Sequence, residues 1–355
     1  FSACLLVKDD NDILNEWIAY HYHVLGLRYM IVAVDAKSHT SPTTLLDRWR
    51  QFGMEIEEWT DETFMPDIYF QKAYHLQPRL VKIKKNKEKW LEGVDDQQVK
   101  QAYYDAIQDH RFRQITFLAS CIAKLRDQGR TWMIHIDTDE YVVINPLLRQ
   151  AKTIGNSIPI PPTAQASIIP RLLNQFTLSA TNNGLKLRYP CISLPRLLYG
   201  SLEDPTLSSI IPRGYNHSRF ESLRWKYHAD FGDSSLNKQP KVMMDVAAIP
   251  ANDKMLVENR VFSIHRPSQA LCLPEGEMFL TNTKEFPFVV NHYLGTFERF
   301  SARDDLRRNR KLYDQKANVQ AGKDNDPWVD SWLAEFIDTH GEDVVANLLR
   351  DYRSD

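Results

Sequence analysis

The N-terminal part of the chain alternates between short apolar runs and longer segments with apolar residues at helical spacing. Residues 3–7, 29–34 and 54–59 have the length and apolar content of strands. The segments between them predict amphipathic helices, with apolar positions at Ile13, Trp17, Ile18 and Leu25 in the first and at Leu45, Leu46, Trp49 and Phe52 in the second. Gly26 follows the first segment, where a helix commonly ends in the left-handed conformation. This order of strands and helices predicts a parallel sheet with right-handed crossovers.

The same kind of pattern continues less regularly beyond residue 60. A helix is predicted at residues 111–127, where apolar positions again recur at helical spacing. Strands or extended segments are predicted at residues 132–136, 185–199, 242–249, 261–264 and 288–293.

The last part of the chain is predicted to be helical, because Trp332, Leu333 and Phe336 are spaced to share one helix face. We therefore expect one α/β domain over residues 1–296, with a mainly parallel sheet and helices on both of its faces. A helical extension over residues 297–355 is expected to follow it.

The composition indicates a folded protein with a sizeable core. The chain has 355 residues, 43% of them hydrophobic, and its formal net charge is only -2. These values argue against intrinsic disorder. The near balance of 44 basic and 46 acidic residues also argues against a nucleic-acid-binding protein, which needs a basic surface.

Membrane attachment is not encoded within the chain. No stretch approaches the roughly 18–20 apolar residues that span a bilayer, and no signal peptide pattern is present. Because the chain opens almost directly on a strand, we expect a preceding segment to be missing. Any membrane contact would then depend on an anchor outside this chain.

The cysteines Cys4, Cys121, Cys191 and Cys272 are scattered and form no Cys-x-x-Cys pair, so a cysteine zinc site is not expected. Cys4 and Cys121 lie in apolar runs and are predicted to be buried thiols. Cys191 and Cys272 are candidates for one disulfide. A single glycosylation motif at Asn216 supports a secretory location only weakly.

The strongest candidate for chemistry is the acidic turn Asp137-Thr138-Asp139, which directly follows the predicted strand at residues 132–136. In open α/β sheets, ligands bind beyond the carboxyl ends of the strands. Two carboxylates spaced in this way can reach one divalent cation, and oxygen ligands suit Mn²⁺ or Mg²⁺. Such an ion stabilises the charge on a nucleoside diphosphate leaving group. The alternative is a solvated acidic turn without a ligand.

The acidic turn belongs to a longer series of short motifs. These are found at residues 6–12, 15–21, 25–26, 32–35, 38, 114–121, 132, 137–141, 195–196, 200–201, 241–242, 264–267 and 291–293. In this order they resemble glycosyltransferase family 92 and its family-2-like relatives. The resemblance implies a GT-A fold, with a nucleotide-sugar-binding half at residues 1–145 and an acceptor half at residues 146–296.

The resemblance also implies a metal site and a donor. GT-A enzymes commonly take a third metal ligand from a histidine near the end of the fold, and His292, at the end of a predicted strand, is the first choice. His265 is the second. His292 is expected to bind Mn²⁺ or Mg²⁺ together with Asp137 and Asp139. The implied donor is a UDP- or GDP-sugar, and the residues predicted to contact it are Lys8, Asp35, Asp137 and Thr138.

Two features depart from the family pattern. The first turn has Lys8 followed by Asp, Asp, Asn and Asp, where Asn-Glu is usual. After His292 and Tyr293 the chain has Leu294, Gly295 and Thr296, whereas the family often has Lys-Ser at this point.

The resembled family is inverting, so a base is needed to deprotonate the acceptor, which we expect to be a glycan or another hydroxyl compound. Carboxylates of the acceptor half are the candidates, with Glu203 first and Asp230 next. For each of them the alternative is a solvated carboxylate without a catalytic role.

Two other functions compete with this interpretation. Haloacid-dehalogenase-type phosphatases also carry Asp-x-Asp after an apolar strand, but their motif usually lies on the first strand. A GT-A fold without activity would bind a sugar nucleotide or a glycan only. A P-loop and a GxGxxG motif are both absent, which disfavours NTPases and Rossmann dehydrogenases. If the protein is a eukaryotic glycosyltransferase of this kind, we expect it in the Golgi or secretory lumen. If it is not eukaryotic, we expect it in the cytoplasm.

Overall fold

Two mixed β-sheets with surrounding helices make up the part of the chain that the structure describes. The computed structural model describes residues 1–72, 97–145, 190–203, 211–233, 235–237, 239–272, 288–302, 310–323 and 327–354. The strands are β1 (Ser2–Val7), β2 (Tyr29–Val34), β3 (Glu55–Trp59), β4 (Trp132–His135), β5 (Glu140–Ile144), β6 (Cys191–Leu194), β7 (Arg196–Tyr199), β8 (Tyr227–His228), β9 (Lys241–Asp245), β10 (Phe288–Tyr293) and β11 (Gly322–Lys323). The helices are α1 (Asn11–Val24), α2 (Thr43–Gln51), α3 (Asp61–Phe64), α4 (Asp67–Phe70), α5 (Gln97–Asp127), α6 (Glu221–Arg224), α7 (Lys254–Val257), α8 (Phe297–Ala302), α9 (Arg310–Ala317), α10 (Pro327–His340) and α11 (Glu342–Leu348).

The first sheet has the strand order β3-β2-β1-β4-β9-β6. Strands β3, β2, β1 and β4 are parallel, so their carboxyl ends meet at one edge. Strand β9 is antiparallel to both β4 and β6. The predicted strands at residues 3–7, 29–34 and 132–136 therefore lie in one sheet, as expected.

Helices cover both faces of this sheet, because side chains alternate along each strand. Ala3 and Leu5 pack with α1 on one face, whereas Cys4 packs with α5 on the other. Helix α1 ends before Gly26, which has the left-handed φ of +68° that the sequence pattern predicts.

The second sheet has the order β11-β8-β7-β10-β5. Its β10 strand runs antiparallel to β5 and parallel to β7. The α/β class is confirmed, but the expected single, mainly parallel sheet is wrong. Parallel pairing dominates only among the N-terminal strands. The later strands pair mostly antiparallel, with a parallel pair between β10 and β7.

The C-terminal helices share the core of the first sheet. Trp332 and Phe336 of α10 are fully buried with Trp17 of α1. The amide of Asn15 donates to the Leu348 carbonyl at 2.7 Å, and the Tyr352 hydroxyl donates to the Asp12 carbonyl at 2.6 Å. These contacts join the predicted helical extension to the first helix of the chain.

Two predicted strands differ from the structure. The segment at residues 242–249 forms β9 only as far as Asp245, and a short 3-10 turn follows it. The strand at residues 261–264 is wrong, because the chain turns back there. The backbone N–H groups of Ser263 and Arg266 each donate to the other residue's carbonyl, which closes a tight turn. The extended segment at residues 185–199 forms β6 and β7, and its residues 185–189 lie outside the described ranges.

The cysteines form two disulfides, Cys4–Cys121 and Cys191–Cys272. The second pair agrees with the proposed pairing. The expectation of free thiols at Cys4 and Cys121 is wrong, although both residues are buried as predicted. Each sits in an apolar run, and the packing of α5 against β1 brings the two together.

Among the described residues, no helix combines the length and apolar character needed to cross a bilayer.

Candidate metal centre

The acidic turn connects the two sheets. Strand β4 ends at His135 in the first sheet, and β5 begins at Glu140 in the second. The turn is closed by the Glu140 N–H, which donates to the Asp137 carbonyl at 3.1 Å. The indole N–H of Trp17 donates to the carbonyls of Asp137 and Glu140 at 3.1 and 3.0 Å. The first helix therefore holds the turn by its backbone and leaves its side chains for other partners.

Lys241, the first residue of β9, lies behind this turn. Its side chain is fully buried, and Nζ lies 2.9 Å from Asp137 Oδ2 and 3.2 Å from Glu140 Oε2. Glu140 Oε2 also accepts the Asp137 N–H at 2.8 Å. A second cation, Arg196, lies 3.3 Å from Glu140 Oε1. Both carboxylates at the ends of the turn thus face basic side chains of the protein.

In this environment the pKa of Glu140 is raised, whereas the pKa of Asp137 is lowered. Burial raises the pKa of the Glu140 carboxyl, and Lys241 opposes this shift without cancelling it. Partial burial also acts to raise the pKa of Asp137, but the Lys241 ammonium outweighs it and holds that pKa below its usual range. The Asp137 carboxyl is therefore ionised beside Lys241.

His292 reaches the same turn from β10. Strand pairing sets His292 opposite Glu140, and the Tyr293 N–H donates to the Asp139 carbonyl at 2.9 Å. As a result, His292 Nε2 lies 3.9 Å from Asp139 Oδ1. Burial, helped by the nearby Arg196 guanidinium, holds the pKa of His292 well below its usual range, so the imidazole is neutral.

Arg196 also favours one tautomer of the neutral His292 imidazole. Its guanidinium lies 3.3 Å from His292 Nδ1, and a guanidinium can only donate. That contact leaves the proton on Nε2, which points toward Asp139. A cation bound by Nε2 would therefore have to shift the proton to Nδ1.

Asp139, Glu140 and His292 each offer a ligand atom, and these atoms lie within 4.8 Å of one another. Two carboxylates and a neutral imidazole suit Mn²⁺, and Mg²⁺ is the poorer fit because it prefers oxygen ligands alone. Asp137, predicted to bind the cation directly or through the nucleotide, directs one oxygen at Lys241, and its side chain is 46% exposed. Glu140 was not among the predicted ligands.

The other histidines considered from the sequence face backbone carbonyls. His265 Nδ1 lies 3.1 Å from the Pro240 carbonyl, next to Lys241. His135 Nδ1, on β4, lies 3.1 Å from the Cys4 carbonyl, so this ring packs within the sheet.

The residues predicted to contact the nucleotide share the edge where the parallel strands end. Lys8 follows β1, Asp35 follows β2, and Asp137 and Thr138 follow β4. Thr138 is buried, and the Lys8 N–H donates to Asp10. Asp9, with a φ of +55°, accepts hydrogen bonds on its carboxylate from the loop at residues 38–40, and its backbone N–H donates to Ser38, so it ties the first two of these strand ends together.

Asp35 is engaged by a residue that sequence reasoning missed. Arg113 of α5, only 2% exposed, lies 2.5 Å from Asp35 Oδ2 and 2.7 Å from Asp61 Oδ1. Asp35 Oδ1 accepts the Lys37 N–H at 2.8 Å. The Asp35 carboxylate is therefore fixed in orientation by its own turn and by Arg113. No local pattern signals this cluster, because its members are far apart in the sequence.

The two predicted bases have partners of their own. The exposed Glu203 accepts hydrogen bonds from the Arg224 guanidinium, one of them from Nε at 2.7 Å. The exposed Asp230 accepts the Gly232 N–H at 2.7 Å in the turn after β8.

A third carboxylate, Glu221, is linked to the acidic turn and was missed by sequence reasoning. Arg299 Nη1 lies 2.9 Å from Glu221 Oε2, and Arg299 Nη2 lies 4.0 Å from Asp139 Oδ2. The Trp225 indole also donates to Glu221 Oε2 at 2.9 Å. One guanidinium thus spans the space between the two carboxylates.

Gly295 lies beside the ion pair between Glu221 and Arg299. It has a φ of +73°, and a Cβ there would lie 3.0 Å from Arg299 Nη1 and 3.2 Å from Glu221 Oε2. Any larger residue would press against this ion pair. The glycine found here thus leaves room for the link between Glu221 and Arg299.

Models of known protein families give no match to this chain, and curated proteins give none either. Function therefore has to be inferred from the chemistry of the site.

Proposed function

We propose that the chain is a metal-dependent glycosyltransferase with a GT-A fold. It would transfer a sugar from a UDP- or GDP-sugar to a hydroxyl group of a glycan or similar acceptor, with inversion at the anomeric carbon. The observation that carries this proposal is the meeting of Asp139 and His292 at the carboxyl edge of parallel strands, where Asp137 also lies.

Donor binding is assigned from this geometry. Asp139 and His292 are the proposed cation ligands, with Glu140 beside them, and the half-exposed Asp137 faces the nucleotide. Lys8, Asp35 and Thr138 line the same edge and are proposed to contact the nucleotide. A divalent cation bound here would stabilise the negative charge that develops on the leaving diphosphate.

Acceptor activation requires one base. It takes the proton of the acceptor hydroxyl while that oxygen bonds to the anomeric carbon and the bond to the diphosphate oxygen breaks. Glu203 and Asp230 remain candidates from the sequence. Glu221 joins them as the best supported, because Arg299 connects it to Asp139 and holds it in one orientation.

The disulfides support a location in an oxidising compartment. Cys4–Cys121 and Cys191–Cys272 both join segments distant in the sequence. Disulfides persist mainly in secretory or extracellular environments. We therefore propose that the protein works in the lumen of the secretory pathway.

The decisive experiment is a screen of UDP- and GDP-sugars for Mn²⁺-dependent turnover, with EDTA as one arm. Asp139→Asn should abolish turnover while the circular dichroism spectrum stays unchanged, because the turn is held by backbone contacts. Asp127→Asn, at the end of α5, is the matched control and should behave like the unmodified protein. Full activity in EDTA or in Asp139→Asn would refute the proposal.

The same screen separates the alternative functions. Binding of a sugar nucleotide without turnover would indicate a non-catalytic binding protein on the same fold. Hydrolysis of p-nitrophenyl phosphate without sugar transfer would indicate a phosphatase.

A further inference from the structure

Lys241 stands out among the basic residues near the acidic turn because water does not reach it. Its side chain is 0% exposed, yet its Nζ contacts Asp137 and Glu140 on either side of Asp139. Strand β9 fixes this position, since Val242 pairs with His135 at the end of β4. The ammonium group therefore comes from a neighbouring strand and cannot be exchanged for a solvent ion.

The position of Lys241 has a direct electrostatic consequence. Two positive charges repel each other strongly when they lie a few ångströms apart in a region with little water. Glu140 contacts Lys241 and also belongs to the group that could hold a cation. A divalent cation bound by Asp139 and His292 would therefore lie close to the Lys241 ammonium and would share the Glu140 carboxylate with it.

We propose that Lys241 is the built-in counter-ion of the acidic turn and sets how tightly the turn binds a divalent cation. It holds Asp137 and Glu140 in place when no cation is bound. It also weakens cation binding, because its charge opposes the ion and occupies two of the available carboxylates. This inference rests on the proposed cation site at Asp139 and His292.

The test is a Mn²⁺ titration followed by electron paramagnetic resonance and calorimetry, with no sugar nucleotide present. Lys241→Met should bind Mn²⁺ about tenfold more tightly or better, because one unit charge next to the site has been removed. Lys241→Arg keeps the charge and should bind like the unmodified protein. Lys254→Met, which removes a lysine that is 80% exposed on α7, is the matched control and should also change nothing.

A second pair of variants keeps the test valid if Lys241→Met does not fold. Glu140→Gln and the double variant Lys241→Met with Glu140→Gln differ only in the lysine. In the double variant, one buried charge of each sign is removed, so folding is easier to maintain. The double variant should bind Mn²⁺ more tightly than Glu140→Gln.

The outcomes separate this inference from the proposed function. If Mn²⁺ binds the unmodified protein and neither lysine replacement tightens it, the role of Lys241 is overturned and the metal site stands. If only the Lys241→Met proteins bind Mn²⁺ in the absence of a sugar nucleotide, the role of Lys241 is supported, and the EDTA arm of the sugar-nucleotide screen decides the metal dependence of the natural chain. If none of the proteins binds Mn²⁺, the role of Lys241 is overturned, and the proposed function is judged separately by turnover in EDTA.

Discussion

A buried histidine that is not among the proposed cation ligands makes the stability of this protein dependent on pH. His21 of α1 is completely buried. Its Nδ1 lies 2.8 Å from the Trp17 carbonyl, and its Nε2 accepts the Val142 N–H at 3.3 Å. The neutral ring with its proton on Nδ1 satisfies both partners. A second proton on Nε2 would instead face the Val142 N–H.

The size of the effect follows from the pKa of this ring. Burial lowers the pKa of His21 to about 3, whereas an unfolded histidine titrates near 6.5. Below about pH 6.5, His21 binds a proton in the unfolded chain but not in the folded chain. The free energy of unfolding therefore falls as the pH falls. The loss of unfolding free energy attributable to His21 is about 2 kcal/mol at pH 5 and about 4 kcal/mol at pH 3.

The assay is urea unfolding at pH 7 and pH 5, monitored by tryptophan fluorescence and circular dichroism together. The glutamine in His21→Gln does not titrate. Between pH 7 and pH 5, the free energy of unfolding of this variant should therefore fall by about 2 kcal/mol less than that of the unmodified protein. His217→Gln removes an exposed histidine and serves as the matched control. Equal losses in the His21→Gln variant and the unmodified protein would refute the assigned role of His21.

Three further predictions concern catalysis and packing. NMR of the first-formed product should show a β-linked sugar from an α-linked donor, and an α-linked product would overturn inversion. Glu221→Gln should lower transfer by about 10²-fold or more while Mn²⁺ binding survives, and Glu203→Gln and Asp230→Asn should have smaller effects. A larger loss of transfer in Glu203→Gln or in Asp230→Asn would identify that residue as the base instead. Gly200→Ala should destabilise the fold by about 1–3 kcal/mol in urea unfolding, because its Cβ would lie 2.5 Å from the Ala317 carbonyl. An unchanged midpoint would contradict this.

Local patterns in the sequence predict the N-terminal half well for a physical reason. Each strand and helix there buries one stripe of apolar side chains, so the spacing of apolar residues reports its structure directly. The residues 29–34, for example, are predicted and observed as one strand. The position of the acidic turn follows from the same logic, since a polar turn must end the buried strand β4.

The second sheet was harder to predict because its strands pair across long sequence distances. Strand β10 pairs with β5 and with β7, and neither neighbour is adjacent in the chain. The same limitation explains the missed disulfide, since Cys4 and Cys121 are separated by 117 positions. An apolar run around a cysteine predicts burial, but it carries no information about the partner.

Charged residues such as Lys241, Arg113 and Glu221 were missed for a related reason. A charged residue in the sequence usually indicates a solvated surface, and it becomes part of a site only when the fold supplies an opposite charge. Arg113 needs Asp35 and Asp61, which precede it by more than one element. Only the folded chain shows that these side chains are buried together.

The charges of the acidic turn are nearly balanced by the protein itself. Asp137 faces Lys241, Glu140 faces Lys241 and Arg196, and Asp139 faces Arg299 at 4.0 Å. A cation alone would therefore add positive charge to a compensated site, and a diphosphate alone would add negative charge beside the same carboxylates. Both costs fall when the two ligands arrive together, because each neutralises the other. A balanced site of this kind favours a cation–diphosphate pair over either ligand alone, which is the form in which a glycosyltransferase would meet its donor.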